Sequence, residues 1–363
     1  MLGVNIVEFV LVLMFLVLVH EAGHMFAAKW CGMKVERFSI FFGRPFAKFT
    51  RGETEYGIGW LPLGGYVRIT GMSREEELAP EDVPRAYYAA KTWKKVVVIG
   101  AGPAVNLVVA VLCFAIYFWV GIPGFGGIGI QDVKAGSPAA VAGLVAGDQL
   151  VSVNGISATG DGATATRALA EVQQNPGSPV VVRFTHAGSP TVVTKVVTPR
   201  ATKTGSETIG RIGVGLQELP GPRESAGPVG GITMTGRYTW FLVKANVAGV
   251  GQLFTNAQAR EQVGSVVAIG AAYNQIASDG FMEIIRFIGL ISLVLAIFNL
   301  LPIFPLDGGH ILFALLEKVR GKPISTRVYE RAGMVGWAVI LVVFVFALQN
   351  DIGKILGGGF TFK

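Results

Sequence analysis

His20-Glu21-Ala22-Gly23-His24 spells the pattern H-E-x-x-H. On a helix, residues four apart share a face, so both imidazoles can reach one metal ion. Glu21 sits about 100° round the helix from His20, close enough to act on a water at that metal. All three lie in a long apolar run. A charge there costs about 2.5–3.5 kcal/mol even on the lenient insertion scale, so the residues are expected to be functional. A zinc hydrolase needs a third protein ligand and an open position for water. The chain has four histidines. His186 falls in a water-exposed stretch, and His310 is possible but stands beside a better candidate. Asp307 follows an apolar run, with no Lys or Arg near it in sequence, so a metal is its natural partner. Pro302 and Pro305 break the preceding helix and can turn Asp307 inward, and Gly308-Gly309 permits close packing. The plainer role for Asp307 is an N-cap of the helix that follows.

The elements that must hold these residues are membrane helices. Of 363 residues, 51% are hydrophobic and only 15% charged, against about 25% charged in soluble domains. This composition argues against an ordinary soluble enzyme, a disordered chain and a nucleic-acid-binding domain. Apolar runs near 4–30, 96–120, 287–304 and 334–348 predict four spans. Four spans put both termini on one side. The net charge is +7. Much of the basic charge lies between Lys29 and Lys95 and in the short stretch carrying Lys318, Arg320, Lys322, Arg327 and Arg331. The positive-inside rule places both connections in the cytoplasm. Both termini and the segment between spans two and three are then outside. The N-terminus has no basic n-region and no cleavage site, so it reads as a retained helix. Cys31 and Cys113 form no spaced framework, which indicates neither a disulfide nor a cysteine zinc site.

The first cytoplasmic connection reads as strands. Phe38–Thr50 and Thr54–Trp60 flank an Arg51-Gly52 turn signal, and Leu61–Ile69 follows. Strands this apolar, between two membrane helices, are expected to dip into the interface. One edge, carrying Leu63, Gly64, Gly65, Tyr66 and Val67, is expected to pair with an unwound substrate by strand addition. Farther on, Gly136-Ser137-Pro138-Ala139-Ala140 and Gly143-Leu144-Val145-Ala146-Gly147-Asp148 predict a helix and a turn. Gln149–Val153 then predicts a strand closed by an Asn154-Gly155 turn. This stretch resembles a PDZ domain, assigned to 126–200, which implies either peptide capture or a steric filter. Arg200–Ser225 reads as a polar linker. Tyr238–Phe254 and Val263–Ile276 read as helices at the outer membrane surface.

Three features together are similar to the site-2 protease family, nearest the regulator-of-sigma-E branch. They are H-E-x-x-H in the first span, Asn299-Leu300-Leu301-Pro302-Ile303-Phe304-Pro305-Leu306-Asp307-Gly308 at the third, and a PDZ-like module between spans two and three. Gly102-Pro103-Ala104-Val105-Asn106 matches the family's G-P-x-x-N, and Leu61–Arg68 matches its membrane-associated hairpin region. The resemblance implies one zinc ion per chain, held by His20, His24 and Asp307, with Glu21 as general base. It implies that Asn299 holds substrate or stabilises the transition state, and that Gly102, Pro103 and Asn106 pack beside the catalytic helices. The implied substrates are single-span proteins, such as anti-sigma factors or signal-peptide remnants, cut first by a site-1 protease. Such relatives often carry two PDZ modules, whereas this chain has room for one. Phe41-Phe42-Gly43 stands where many have G-F-G, and Val263–Ile269 where many have G-P-V-G-I.

The expected fold is therefore a polytopic α-helical bundle of the bacterial inner membrane. It has a membrane-associated hairpin region near 36–70 and an inserted extracytoplasmic α+β PDZ domain. Residues 1–125 and 285–363 supply the membrane part, and 201–284 the linker and surface helices. The expected partners are the bilayer and single-span substrates, not nucleic acid. A rival reading is a non-catalytic adaptor that recruits partners through its PDZ module. Glu21 argues against it, since an adaptor has no need of a base beside two metal-binding histidines. A transporter would show repeated, broken half-structures, and no such repeat is visible.

Overall fold

The computed structural model describes residues 2–356, apart from 74, 205–206, 257–259 and 261–262. The chain forms two compact units, one of Met1–Trp119 with Pro228–Lys363 and the other of Val120–Gly227.

The first unit is built on long apolar helices: α1 (Leu2–Trp30) and α2 (Thr92–Val120), then α7 (Phe281–Asn299) and α9 (Thr326–Leu356). Within them lie four segments long and apolar enough to cross a membrane, Ile6–Trp30, Thr92–Val120, Phe281–Asn299 and Thr326–Leu356. Leu16 and Phe114 are fully buried between helices, while Val7, Leu11, Trp337 and Leu341 face outward. Helices apolar all round suit a lipid surround. The third helix starts before the expected Phe287 and stops at Asn299, so Pro302 and Pro305 lie in the loop beyond it. The fourth extends past both ends of the expected run.

Between α1 and α2 lies a four-stranded sheet of β1 (Val35–Phe42), β2 (Ala47–Arg51), β3 (Thr54–Ile58) and β4 (Leu61–Ile69), in the order β2-β3-β1-β4. The Arg51-Gly52 turn joins β2 to β3 as an antiparallel hairpin. The expected single strand over Phe38–Thr50 is broken in two. Phe41 and Gly43 have φ of 73° and 93°, conformations that end a strand. β1 then pairs with β3 in parallel and with β4 antiparallel, which leaves β4 at a sheet edge.

Three further helices follow the second unit in sequence or close the bundle. α5 (Gly227–Thr255) and α6 (Val266–Ser278) precede α7, and α8 (Asp307–Arg320) lies between α7 and α9. The N-terminus of α6 is fastened to α9. Asp351 Oδ2 accepts from the Ser265 amide at 2.8 Å, the Ser265 hydroxyl at 2.5 Å and the Ala268 amide at 3.1 Å. Tyr273 of α6 is buried against Phe9 of α1 and Phe287 of α7.

The second unit is a five-strand path with two short helices, α3 (Pro138–Val141) and α4 (Gly162–Gln174). Its strands are β5 (Ile122–Val133), β6 (Gln149–Val153), β7 (Ile156–Ser157), β8 (Val180–Thr185), β9 (Val192–Val197), β10 (Arg200–Thr204), β11 (Glu207–Arg211) and β12 (Val214–Glu224). The sheet order is β12-β5-β6-β8-β9, with β7 on β6 and β10 paired to β11. Ser137 caps α3 through the Ala140 amide, and Asp161 caps α4 through the Thr164 amide. Asn154 and Gly155 both have positive φ, 46° and 82°, as a tight hairpin turn demands. The stretch 200–225 differs from the expected linker. It is mostly strand, and β12 pairs along β5 from Val214 to Glu224. Gly215, Pro220, Gly221 and Pro222 fall at register shifts of that pairing, where sheets tolerate them.

Candidate active site

α1 carries His20 and His24 on one face, both buried, at 9% and 7% exposure. Their rings lie edge to face, 4.8 Å apart. The two Nε2 atoms are 3.2 Å apart. Asp307 Oδ2 lies 3.2 Å from His20 Nε2 and 3.4 Å from His24 Nε2. These three residues are the one metal-capable group found among the described residues. Tetrahedral zinc with bonds near 2.0–2.1 Å puts its ligand atoms about 3.3–3.4 Å apart. The triangle therefore matches one face of such a tetrahedron. The electrostatics agree. Asp307 Oδ2 is buried and accepts no aligned hydrogen bond. Three acceptor atoms pointed at one another repel unless a cation or protons sit between them. The donor set fits zinc.

Asp307 reaches this position through the loop after α7. It is the first residue of α8, and Leu306 holds the cap position without a side-chain bond. The N-cap role considered for Asp307 is thus taken by its neighbour, and the helix N-terminus favours a negative charge there. A side chain at Gly308 would strike the Leu300 and Leu301 carbonyls, and one at Gly309 would lie 2.8 Å from the Phe304 nitrogen. Only glycine lets α8 start this close to the loop. Phe304 is buried and packs edge-on against His310, with centroids 4.6 Å apart, and against Phe313 and Tyr329. His310 is therefore a packing residue and not the third member of the cluster.

α2 forms the back wall. His24 Nδ1 bonds the Val98 carbonyl at 2.9 Å, and Asn106 Nδ2 lies 3.3 Å from His20 Nδ1. Between them Gly102 faces both rings: a methyl there would come within 2.6 Å of His24 Cε1 and 2.8 Å of His20 Cε1. Pro103 is buried inside the same helix. On α1, Gly23 admits the Ala101 carbonyl, which an added Cβ would meet at 2.7 Å.

Glu21 points to the other side, toward the sheet. Its carboxylate lies beside the Val67 backbone amide, and a Cβ on Gly65 would lie 3.2 Å from Glu21 Cγ. Glu21 also borders a cavity of about 510 Å³, lined by apolar residues such as Val17, Ile40, Ile269 and Leu295, and by Gly64 and Gly65. Among the described residues it is the one ionisable side chain on that lining. Tyr66 points elsewhere, stacking on Phe42 and accepting from Arg37. Leu63 belongs to β4, but its side chain lies outside the described residues. Asn299 closes α7 half-buried and makes no hydrogen bond to the metal-capable group among the described residues. Sequence reasoning missed the Val98 carbonyl and Ser292, whose hydroxyl donates to the Asn106 carbonyl at 2.8 Å. A backbone acceptor carries no sequence signal, while a serine inside an apolar span is a signal that could have been followed.

A buried two-histidine, one-carboxylate group with a second carboxylate, Glu21, next to it in sequence, set in membrane-length helices, is the class of site expected of a membrane-embedded metallohydrolase. The model of Peptidase family M50 matches residues 8–343, and this chain belongs to that family. It is 31% identical to a Rhizobium meliloti protein named as a zinc metalloprotease, with 97% of each chain covered. It is 28% identical to the regulator of sigma-E protease RseP of Salmonella typhimurium, covering 97% of this chain and 99% of that one. That alignment runs over 451 positions against 363 residues here, so the relative carries sizeable extra sequence. The same protease of Escherichia coli is 26% identical. A solved PDZ domain of an SdrC-like protein from Listeria monocytogenes is 22% identical over 25% of this chain. Its TM-score is 0.21, too slight a superposition to define the second unit's fold. The chain is a multi-pass membrane zinc metalloprotease.

Proposed function

We propose that this protein is an intramembrane endopeptidase of the bacterial inner membrane, cutting single-span proteins within or near their membrane segments. The observation that supports it most is the placement of Glu21. It stands between the His20–His24–Asp307 triangle and an apolar cavity bordered by the edge strand β4. His20, His24 and Asp307 would hold one zinc per chain, which would supply Lewis acidity for water activation and carbonyl polarisation. Glu21 takes the proton of the attacking water and delivers it to the leaving amide nitrogen. The C–N bond breaks, leaving a new carboxylate and a new amine. A helical substrate must unwind first, which exposes amides that are costly to leave unpaired in lipid. The free edge of β4, at Gly64 to Val67, pairs with that unwound stretch. Asn299, at the end of α7, contacts the substrate there.

Positive-inside placement puts the active site toward the cytoplasm and both termini outside, together with the second unit. Substrates are anti-sigma factors or signal-peptide remnants trimmed beforehand by a site-1 protease, as in regulated intramembrane proteolysis. The second unit has a groove of about 320 Å³ lined by Leu144, Leu169, Val172 and the stretch 209–214, beside the edge strand β12. Such a groove suits an extended peptide end. Removing 122–224 as a block tests its role, because cutting at 199 would strip β12 of its partner β5. Cleavage of untrimmed substrate after deletion indicates exclusion, and loss of all cleavage indicates recruitment. The central test uses purified wild type, Glu21→Gln and Asp307→Ala with a single-span substrate and a zinc assay. Equal cleavage by wild type and Glu21→Gln would sink the protease reading.

A further inference from the structure

The back wall of the site has an organisation of its own. Val98, Gly102 and Asn106 recur every four residues and so share one face of α2. They meet histidines spaced four apart on α1. Eight residues of α2 span about 12 Å, whereas the two histidines are separated by about 6 Å along their axis. The mismatch closes because backbone carbonyls point toward a helix C-terminus and side chains lean toward its N-terminus. The Val98 carbonyl and the Asn106 side chain therefore converge on the level of Gly102, where a side chain would block them. Each imidazole receives one polar contact on its Nδ1, the atom directed away from Asp307.

The two contacts are not equivalent. A carbonyl can only accept, so the Val98 oxygen fixes the His24 proton on Nδ1 and leaves Nε2 free as a ligand. Asn106 can present either end of its amide. With Nδ2 toward His20, as here, its Oδ1 is buried without a hydrogen-bond partner, although the residue is fully buried. A metal on His20 Nε2 forces the ring proton to Nδ1, which would then face Nδ2 donor to donor. Rotating the amide by half a turn about Cβ–Cγ puts Oδ1 against that proton. The Ser292 hydroxyl on α7 holds the Asn106 carbonyl at 2.8 Å, so the residue's backbone is tied in place while its amide turns.

We propose that Asn106 is the positioning residue for His20: its side-chain oxygen accepts the His20 Nδ1 proton and commits Nε2 to the metal. The inference rests on the zinc reading of the site given above. Outer partners of this kind typically contribute 10–100-fold to metal affinity.

The test is the zinc affinity of the purified full-length chain in detergent, by competition with a chromophoric chelator. Wild type, Asn106→Asp and Asn106→Leu are compared, each taken from its monodisperse peak. Asp keeps an acceptor of the same shape and has no amide donor, whereas Leu has neither. The expected result is a loss of about 10–100-fold for Leu and an affinity equal to or tighter than wild type for Asp. A structural role alone would not give rescue by a carboxylate. Leu binding zinc as tightly as wild type overturns the proposal. So does a loss in Asp of ten-fold or more, which would mean that His20 needs the amide hydrogens. If Leu yields no monodisperse protein, the Asp result decides by itself. Absence of zinc binding in wild type instead defeats the metalloprotease reading, a different outcome from either of these.

Discussion

Two buried polar clusters meet on α2 and are satisfied in opposite ways. Near one end of α2 and α7, Glu283 accepts from the Tyr117 hydroxyl at 3.0 Å and from Arg286 Nε at 2.7 Å. Each carboxylate oxygen has a donor, and the Arg286 guanidinium also lies 5.9 Å from the centre of the Tyr117 ring. About 16 Å along α2, eleven residues away, Asn106 and Asp307 each keep a buried oxygen with no aligned donor. The first cluster is closed and fastens helices. The second is open: Asp307 turns its bare oxygen toward the two Nε2 atoms, and Asn106 stands behind His20. Asp351 shows that one bare oxygen is not enough. Its Oδ1 lacks a partner while Oδ2 caps α6, and among the described residues no metal-capable group includes it. Convergence of several acceptors on one point is what separates a site from a fastening.

That contrast can be broken by substitution, and the effects fall in a clear order. Asp307→Ala should abolish both zinc retention and cleavage, measured by metal analysis and substrate processing on one preparation. Glu21→Gln should keep its zinc and lose cleavage by about 10²–10⁴-fold, the usual contribution of a general base. Gly102→Ala drives a methyl into both imidazoles and should lower zinc affinity by about ten-fold or more, comparable with losing an outer partner. Proline at Val67 removes the amide that meets Glu21 and interrupts β4. Cleavage should fall with zinc content unchanged, and intact cleavage would remove β4 from the mechanism.

The closed cluster should behave differently. Tyr117→Phe should cost about 0.5–1.5 kcal/mol of stability in a thermal melt and leave zinc affinity as it was. The smallest effect belongs to the surface pair Arg85–Glu53, whose contacts are 2.5 and 2.7 Å. The Arg85 guanidinium holds the Glu53 carboxyl below the usual carboxylate range. A depressed value adds stability above the ordinary glutamate range near 4.3, and that stability is lost as pH falls through the lower, folded value. Both side chains are well exposed, so Glu53→Gln should remove less than about 1 kcal/mol. The difference should vanish in acid, as melts at neutral and acidic pH would reveal.

Much of the site was legible because its chemistry is local or periodic. Four-residue spacing determined that His20 and His24 share a face, and chain hydropathy determined the four apolar spans. Prolines after a span, followed by Asp-Gly-Gly, determined that a carboxylate would turn back toward the bundle. Local turn chemistry likewise determined the Arg51-Gly52 and Asn154-Gly155 turns. The failures have a shared cause. Residues 200–225 look like a linker because glycine and proline dominate local propensity, yet β12 finds a full partner in β5, about 80–100 residues earlier in the chain. The run Phe38–Thr50 looks like one strand because its apolar content outweighs Gly43 and Pro45, which lie in the break between β1 and β2.

What the sequence determined by itself was the inventory: two imidazoles, two carboxylates, and helices apolar enough to bury them. Tertiary structure alone decided that Asp307 and not His310 completes the triangle, because Phe304 occupies the His310 ring and glycines let α8 approach. It alone decided that Glu21 faces the edge strand β4, and that Val98 and Asn106 address the outer nitrogens of the two histidines. These outcomes depend on distances between elements far apart in the chain. Spacing along one helix fixes a face, but only packing decides what that face meets.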